Sequence, residues 1–320
     1  MTRSRANLLL LLAGATWGAG FVAQATAMRD IGPFLFIALR FLVASMVVAP
    51  FAWRERAVLG AADRRAVDTP TLARFALIGL VLFAGMATQQ VGLLSTSVTN
   101  SGFLTGLYVV FTPVLAVVLF RERLSAVVWP ACVLALVGIW LLAGGRASGN
   151  AGDLPANLAG SFVPGDLLTV GSAVFWALQV VLIARFAQAS GRPLALSFVQ
   201  FACTALLAAA VALVREPIDW QAIVRALPSV LYAGVFASGF AFTLQAVAQR
   251  HTTAAQAAIF LSSEAPFAAL FAFVLLGERI GLIGLGGCAL ILAAMLLVEL
   301  WSAWLARRAV ASVKPTGSAA

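Results

Sequence analysis

The chain has 320 residues, of which 62% are hydrophobic and 10% charged, with a mean hydropathy of +1.01. A soluble domain carries about 45–50% apolar and roughly 25% charged residues, because its surface must be solvated, so an ordinary soluble fold is excluded. The net charge of +9 would suggest nucleic acid in a soluble protein. In a membrane chain basic residues gather on cytoplasmic loops instead, and no nucleic-acid partner is expected.

Ten apolar segments of bilayer-spanning length follow one another, at 7–28, 33–53, 72–94, 98–120, 124–143, 167–187, 193–214, 227–248, 253–276 and 280–301. None alternates as a barrel strand does, and lipid tolerates no open strand edge, so all ten are expected to be helices. The first resembles a secretory signal in its Arg3, Arg5 and Ala25-Thr26-Ala27. It is long for a signal and has an internal counterpart, so it is read as a crossing. The charged stretch 54–71 is expected to be a cytoplasmic loop, and 144–165, rich in Gly, Asn and Pro, an external linker.

With the N-terminus inside, fifteen Lys and Arg fall on cytoplasmic segments and five outside, while Arg40 lies within a span. That bias places both termini in the cytoplasm, including the tail 303–320. Twenty of the 21 basic residues are arginine, a bias of GC-rich bacterial genomes, which suggests a bacterial inner membrane. Cys132, Cys203 and Cys288 all lie in apolar stretches, so no disulfide framework is expected. His251 is the one histidine, and no phosphate-binding Gly-x-x-x-x-Gly-Lys-Ser/Thr loop occurs, so neither a metal nor a nucleotide cofactor is expected.

Self-comparison finds a repeat. An offset of 156 pairs 95–141 with 251–297, and eleven of the 47 pairs are identical, among them Phe111 with Phe267 and Cys132 with Cys288. Roughly a tenth would match by chance in so apolar a chain. Nearly the same offset pairs Trp17 with Trp176, Pro33 with Pro193, Phe41 with Phe201 and Gln89 with Gln245. The expected fold is therefore an all-α integral membrane protein of ten transmembrane helices, in two five-helix repeats at 1–143 and 166–302. Five is odd, so the second copy enters the membrane from the opposite side, the inverted plan of secondary transporters.

Arg121-Glu122-Arg123 and Gly277-Glu278-Arg279 sit between the fourth and fifth helices of each copy. Together with the run Ser263-Glu264-Ala265-Pro266-Phe267 in the ninth helix, they resemble the EamA-type branch of the drug/metabolite transporter superfamily, over about residues 6 to 300. The family pattern often sets the Glu and Pro side by side, whereas here Ala265 intervenes. The resemblance implies a carrier that exports amino acids, metabolites or drugs, and it leaves the substrate open.

Polar residues deep in a span are costly and usually face a cavity or another helix. Glu264 is the one carboxylate near the centre of any span, and the 156 offset pairs it with Tyr108. It could bind a substrate amine, couple to a proton, or serve as a structural hydrogen-bonder. Arg40 lies seven residues into the second helix, opposite Gln200 in the repeat, and could receive a carboxylate from the substrate or from Glu264, or else snorkel to the interface. Trp17 and Trp176 could form aromatic walls, with Gly20 and Gln179 on the adjacent turn. Gln89 and Gln245 are identical and deep, with interhelical hydrogen bonding as the rival role. The candidate substrate-binding set is thus Trp17, Arg40, Gln89, Tyr108, Trp176, Gln179, Gln245 and Glu264.

Other features read as structural. Gly14 and Gly18, and Gly281, Gly284, Gly286 and Gly287, suit close packing within the bundle rather than a dimer seam, so a monomer or weak homodimer is expected. Pro113, Pro130 and Pro266 are possible kinks. Glu122 and Glu278 look like boundary ion pairs. One deep carboxylate and one histidine give no acid–base or nucleophilic cluster, so no enzyme is expected. The reading is a secondary transporter with a small-molecule substrate, the lipid bilayer as surroundings and a proton as a possible coupling ion. A membrane channel or an integral membrane enzyme is the alternative.

Overall fold

The computed structural model describes residues 1–58, 68–96, 98–147, 163–276 and 281–312. Among them the fold is helical throughout, with no strand. In chain order the α-helices are α1 (Arg3–Ala27), α2 (Pro33–Val58), α3 (Thr69–Gly92), α4 (Val98–Gly106), α5 (Tyr108–Phe120), α6 (Val128–Ala147), α7 (Pro164–Ser190), α8 (Pro193–Arg215), α9 (Trp220–Tyr232), α10 (Ala241–Gln249), α11 (Ala254–Leu261), α12 (Glu264–Leu276) and α13 (Leu282–Ser312). A π-helical stretch, Ala233–Phe240, joins α9 to α10.

Seven described helical segments are long and apolar enough to cross a membrane. Two shorter apolar ones, Leu104–Phe120 and Val128–Leu141, accompany them.

Local signals explain the helix ends. Asp68, Asp219 and Thr253 accept hydrogen bonds from backbone N–H groups at the starts of α3, α9 and α11. Pro33, Pro164 and Pro193 open their helices, where a missing N–H costs nothing. Gly191, with φ of 65°, closes α7. Arg121 takes the same left-handed conformation after α5, with φ of 52°, and Glu122 N–H closes the motif on the Ala116 carbonyl.

The structure departs from the sequence expectations at three helices. The fourth segment is interrupted at Leu107 and the ninth at Ser262 and Ser263, where three-residue turns replace helical bonds. The two interruptions stand about 156 residues apart, the offset already found. The eighth segment begins at Trp220 rather than 227 and carries the π-helical stretch. Pro130 falls in the first turn of α6 and so does not kink it, whereas Pro266, in the first turn of α12, stands four residues after the interruption at Ser262. Pro113 lies inside α5, and the carbonyl four residues back, that of Val109, accepts from the Cys132 thiol at 3.3 Å. Helix α2 runs on to Val58, α3 begins at Thr69 after the extended Asp68, and α13 runs to Ser312, so the expected loop 54–71 and tail 303–320 are largely helical where described. The centre of the linker at 144–165 and the Gly277-Glu278-Arg279 motif lie outside the described residues.

The most extensive helix contacts are α2 on α8, α6 on α13 and α3 on α7, with α1 packed on α12 and α10. Lipid supplies no hydrophobic drive between helices, so small residues set these contacts. A Cβ on Gly18 would lie 2.6 Å from the Ala268 backbone nitrogen, so α1 meets α12 backbone to backbone. One large buried cluster joins α1, α5, α6, α7, α11 and α13. A second gathers Phe41, Phe201 and Phe242 between α2, α8 and α10.

Candidate functional site

Where α1, α2, α3, α7 and α10 converge on the two interrupted helices, they enclose a cavity of about 650 Å³ of empty space, open solvent at its mouth included. All eight candidate residues, Trp17, Arg40, Gln89, Tyr108, Trp176, Gln179, Gln245 and Glu264, line it.

Phe242 is the aromatic hub. Its ring centroid lies 4.7 Å from that of Trp17 and 5.8 Å from that of Trp176, which it stacks at 12°. Phe41 and Phe201, partners under the sequence offset, touch one another at 5.8 Å beneath it. Trp17 is tied down by its indole N–H, which donates to the Ala237 carbonyl at 2.7 Å. The buried indole nitrogen of Trp176 has no partner among the described residues.

The helix interruptions place the polar groups. Tyr108 and Glu264 are the first residues of α5 and α12, each just past its break. The buried Tyr108 hydroxyl has no hydrogen-bond partner among the described residues. Among the described residues the Glu264 carboxylate has neither an ion pair nor a hydrogen bond. An acceptor and a donor thus face the cavity unsatisfied by protein, which an apolar surround makes costly unless water or a ligand completes them.

Arg40 is deep rather than snorkelling, at 4% exposure. It does not pair with Glu264. Its Nε donates to Ser238 Oγ at 2.9 Å, and the rings of Phe36 and Phe41 lie 5.4 and 5.2 Å from its Cζ. The glutamines both line the cavity and bond between helices. Gln89 donates to Thr105 Oγ1 at 2.9 Å, Gln245 to Gln179 Oε1 at 3.2 Å, and Gln179 to Gln200 Oε1 at 3.5 Å.

Several residues at the site carried no sequence signal. Met86 and Phe242 are apolar in an apolar chain. Ser238 stood out only through its contact with Arg40, and Gln24, bonded to Gln90 at 2.5 Å, lies where a helix end was expected. Partial burial raises the Glu122 pKa above its ordinary value, and the charge of Arg185 opposes this more weakly. No group of three or more metal-ligating side chains occurs among the described residues.

The EamA-like transporter family matches residues 4–144 and 163–300. An uncharacterized transporter of Archaeoglobus fulgidus is 29% identical over 300 residues, covering 93% of this chain and 87% of the relative. An uncharacterized transporter of Bacillus subtilis, YwfM, is 27% identical, covering 92% and 93%. A crystal structure superposes with a TM-score of 0.76 at 22% identity, covering 95% of this chain and 99% of its own, which shows a shared fold. The family and the two transporter-named relatives point to a transporter rather than an enzyme. The chain therefore belongs to the EamA-like transporter family and is a multi-pass helical membrane protein.

Proposed function

We propose that the chain is a secondary transporter that moves a small metabolite, an amino acid or related amphiphile, through the central cavity by alternating access, in the direction of export. The observation that carries this reading is the cavity itself, lined from both halves of the chain by paired residues: Trp17 with Trp176, Gln89 with Gln245, and Tyr108 with Glu264.

Counting α4 with α5, α9 with α10, and α11 with α12 as single crossings makes ten, in two inverted halves. The packing supports this count. The contact of α3 with α7 has its counterpart in α1 with α9 and α10, and that of α7 with α4 and α5 in α1 with α11 and α12. Polar contacts join residues assigned to one side: Asp30 with Arg225 outside, at 2.9 Å, and Asn7 with Glu299 inside, at 2.5 Å. The site residues are the proposed substrate contacts, with Glu264 receiving an amine or a coupling proton and Arg40 a carboxylate. A bacterial inner membrane, cytoplasmic termini and a monomer or weak homodimer complete the proposal.

The test is uptake into proteoliposomes across amino acids, polyamines and purines. Saturable uptake of one class is expected. Linear, electrodiffusive flux would favour a channel and overturn the proposal.

A further inference from the structure

We propose that the π-helical stretch Ala233–Phe240 sets the cavity's specificity, with Ser238 as the positioning residue that presents Arg40 to a substrate carboxylate; this rests on the transport reading above.

One wide turn holds two cavity side chains. The Ala241 N–H donates to the carbonyls of Phe236 and Ser238 and passes over that of Ala237. The carbonyl thus bypassed accepts the Trp17 indole at 2.7 Å. The next residue, Ser238, accepts from Arg40 Nε at 2.9 Å. With Nε engaged and Phe36 and Phe41 against the guanidinium plane, the fork is fixed while its terminal nitrogens make no hydrogen bond to a described residue. A fixed fork matches a carboxylate through two parallel bonds and loses little freedom on binding.

The stretch also reads as a one-residue insertion. An i→i+5 turn takes one residue more than an α-turn, so it absorbs an insertion while the helix continues on either side. A Cβ on Gly79 would meet the Gln200 carbonyl and Cys203 Cβ at 2.8 and 2.6 Å, and one on Gly234 the Arg40 carbonyl and Val43 Cβ at 2.9 and 2.6 Å. Gln200 and Cys203 follow Arg40 and Val43 by 160 residues each, so the two contacts are counterparts. Yet Gly234 follows Gly79 by 155 residues, and Gln245 follows Gln89 by 156. The extra residue falls between Gly234 and Gln245, where the π-helical stretch lies. In the other half α3 is continuous, and the counterparts Trp176 and Gln200 keep an indole nitrogen and an amide nitrogen without partners among the described residues. The insertion therefore makes a near-symmetric cavity polar in one direction, with a held cation on one side only.

The experiment measures binding of 3-phenylpropionate, phenylalanine and 2-phenylethylamine to the purified full chain in detergent, for wild type, Ser238→Ala and Ser238→Thr. Ser238→Ala is expected to weaken the two carboxylate-bearing probes roughly tenfold and to leave 2-phenylethylamine within about twofold, the scale of one hydrogen bond to a charged group. Ser238→Thr restores the pattern. Should Ser238→Ala fail to fold, Ser238→Cys, which loses the strong acceptor, replaces it with the same expectation. Equal weakening of all three probes, or no rescue by threonine, overturns the role of Ser238 and leaves the transport reading intact. A wild-type chain that binds none of the probes overturns the assignment of Arg40 and Ser238 to carboxylate binding, while the uptake screen alone decides the transport reading.

Discussion

Glu55 and Glu216 cap each other's helices. Glu55, near the end of α2, accepts from the backbone N–H groups of Leu194 and Ala195 at 3.1 and 3.0 Å, at the start of α8. Glu216, just past the end of α8, accepts from Phe34 and Leu35 at 2.9 and 2.8 Å, at the start of α2. The two helices thus run antiparallel, tied at both ends by a carboxylate on a helix N-terminus, where unpaired N–H groups and the helix dipole favour negative charge.

Removing either cap lowers stability. Glu55→Ala and Glu216→Ala are each expected to cost about 0.5–2 kcal/mol, as for other lost helix caps. The sites are separated by the length of α2, roughly 1.5 Å per residue, so the double variant should be additive. Thermal unfolding of the purified protein in detergent checks both statements, and strong non-additivity would show that the caps act through one another.

The close helix contacts at Gly79 and Gly234 leave no room for a methyl group. Gly79→Ala and Gly234→Ala are expected to destabilise by about 1–3 kcal/mol through overpacking. Gly286→Ala, where an added Cβ meets nothing within 4 Å, should be neutral. Melting temperatures of the three variants measured side by side test the ranking.

Glu264→Gln keeps size and removes charge. In the proposed cycle it should abolish the pH dependence of uptake or weaken binding of an amine-bearing substrate at least tenfold, about 1.4 kcal/mol. Uptake measured across a pH series in proteoliposomes decides it. Unchanged affinity with an unchanged pH profile would return Glu264 to a structural role.

Sidedness follows from the charge bias. A cysteine at Trp53, exposed at the end of α2, is expected to react with an impermeant maleimide only from the cytoplasmic face, and one at Trp220, exposed at the start of α9, only from outside. Labelling of both from the same face would contradict the inverted arrangement.

The polar lining of the cavity was legible in the sequence because charge and amide groups are scarce in the spans. With 10% of residues charged, a deep Arg40 or Glu264 had few places to go, and pairing by offset brought Tyr108 and Gln245 with them. Apolar liners carried no such contrast. Phe242 anchors both tryptophans, yet it is one of 22 phenylalanines. The helix interruptions were hidden because Leu107 and Ser263 are not breakers, while Pro266 disfavours the helix one turn upstream of itself, at Ser262, rather than where it stands. The caps were hidden because Glu55 and Glu216 serve helices more than a hundred residues away, where no local pattern reaches.

Counterflow tests the proposed carrier most directly. Proteoliposomes loaded with an excess of the unlabelled substrate found in the uptake screen are diluted into a trace of the same compound, labelled. Alternating access predicts a transient accumulation of label above its equilibrium level, because each outward passage of unlabelled substrate returns an empty site that captures label. Monotonic equilibration without an overshoot, from a chain that passes the same compound, would contradict it.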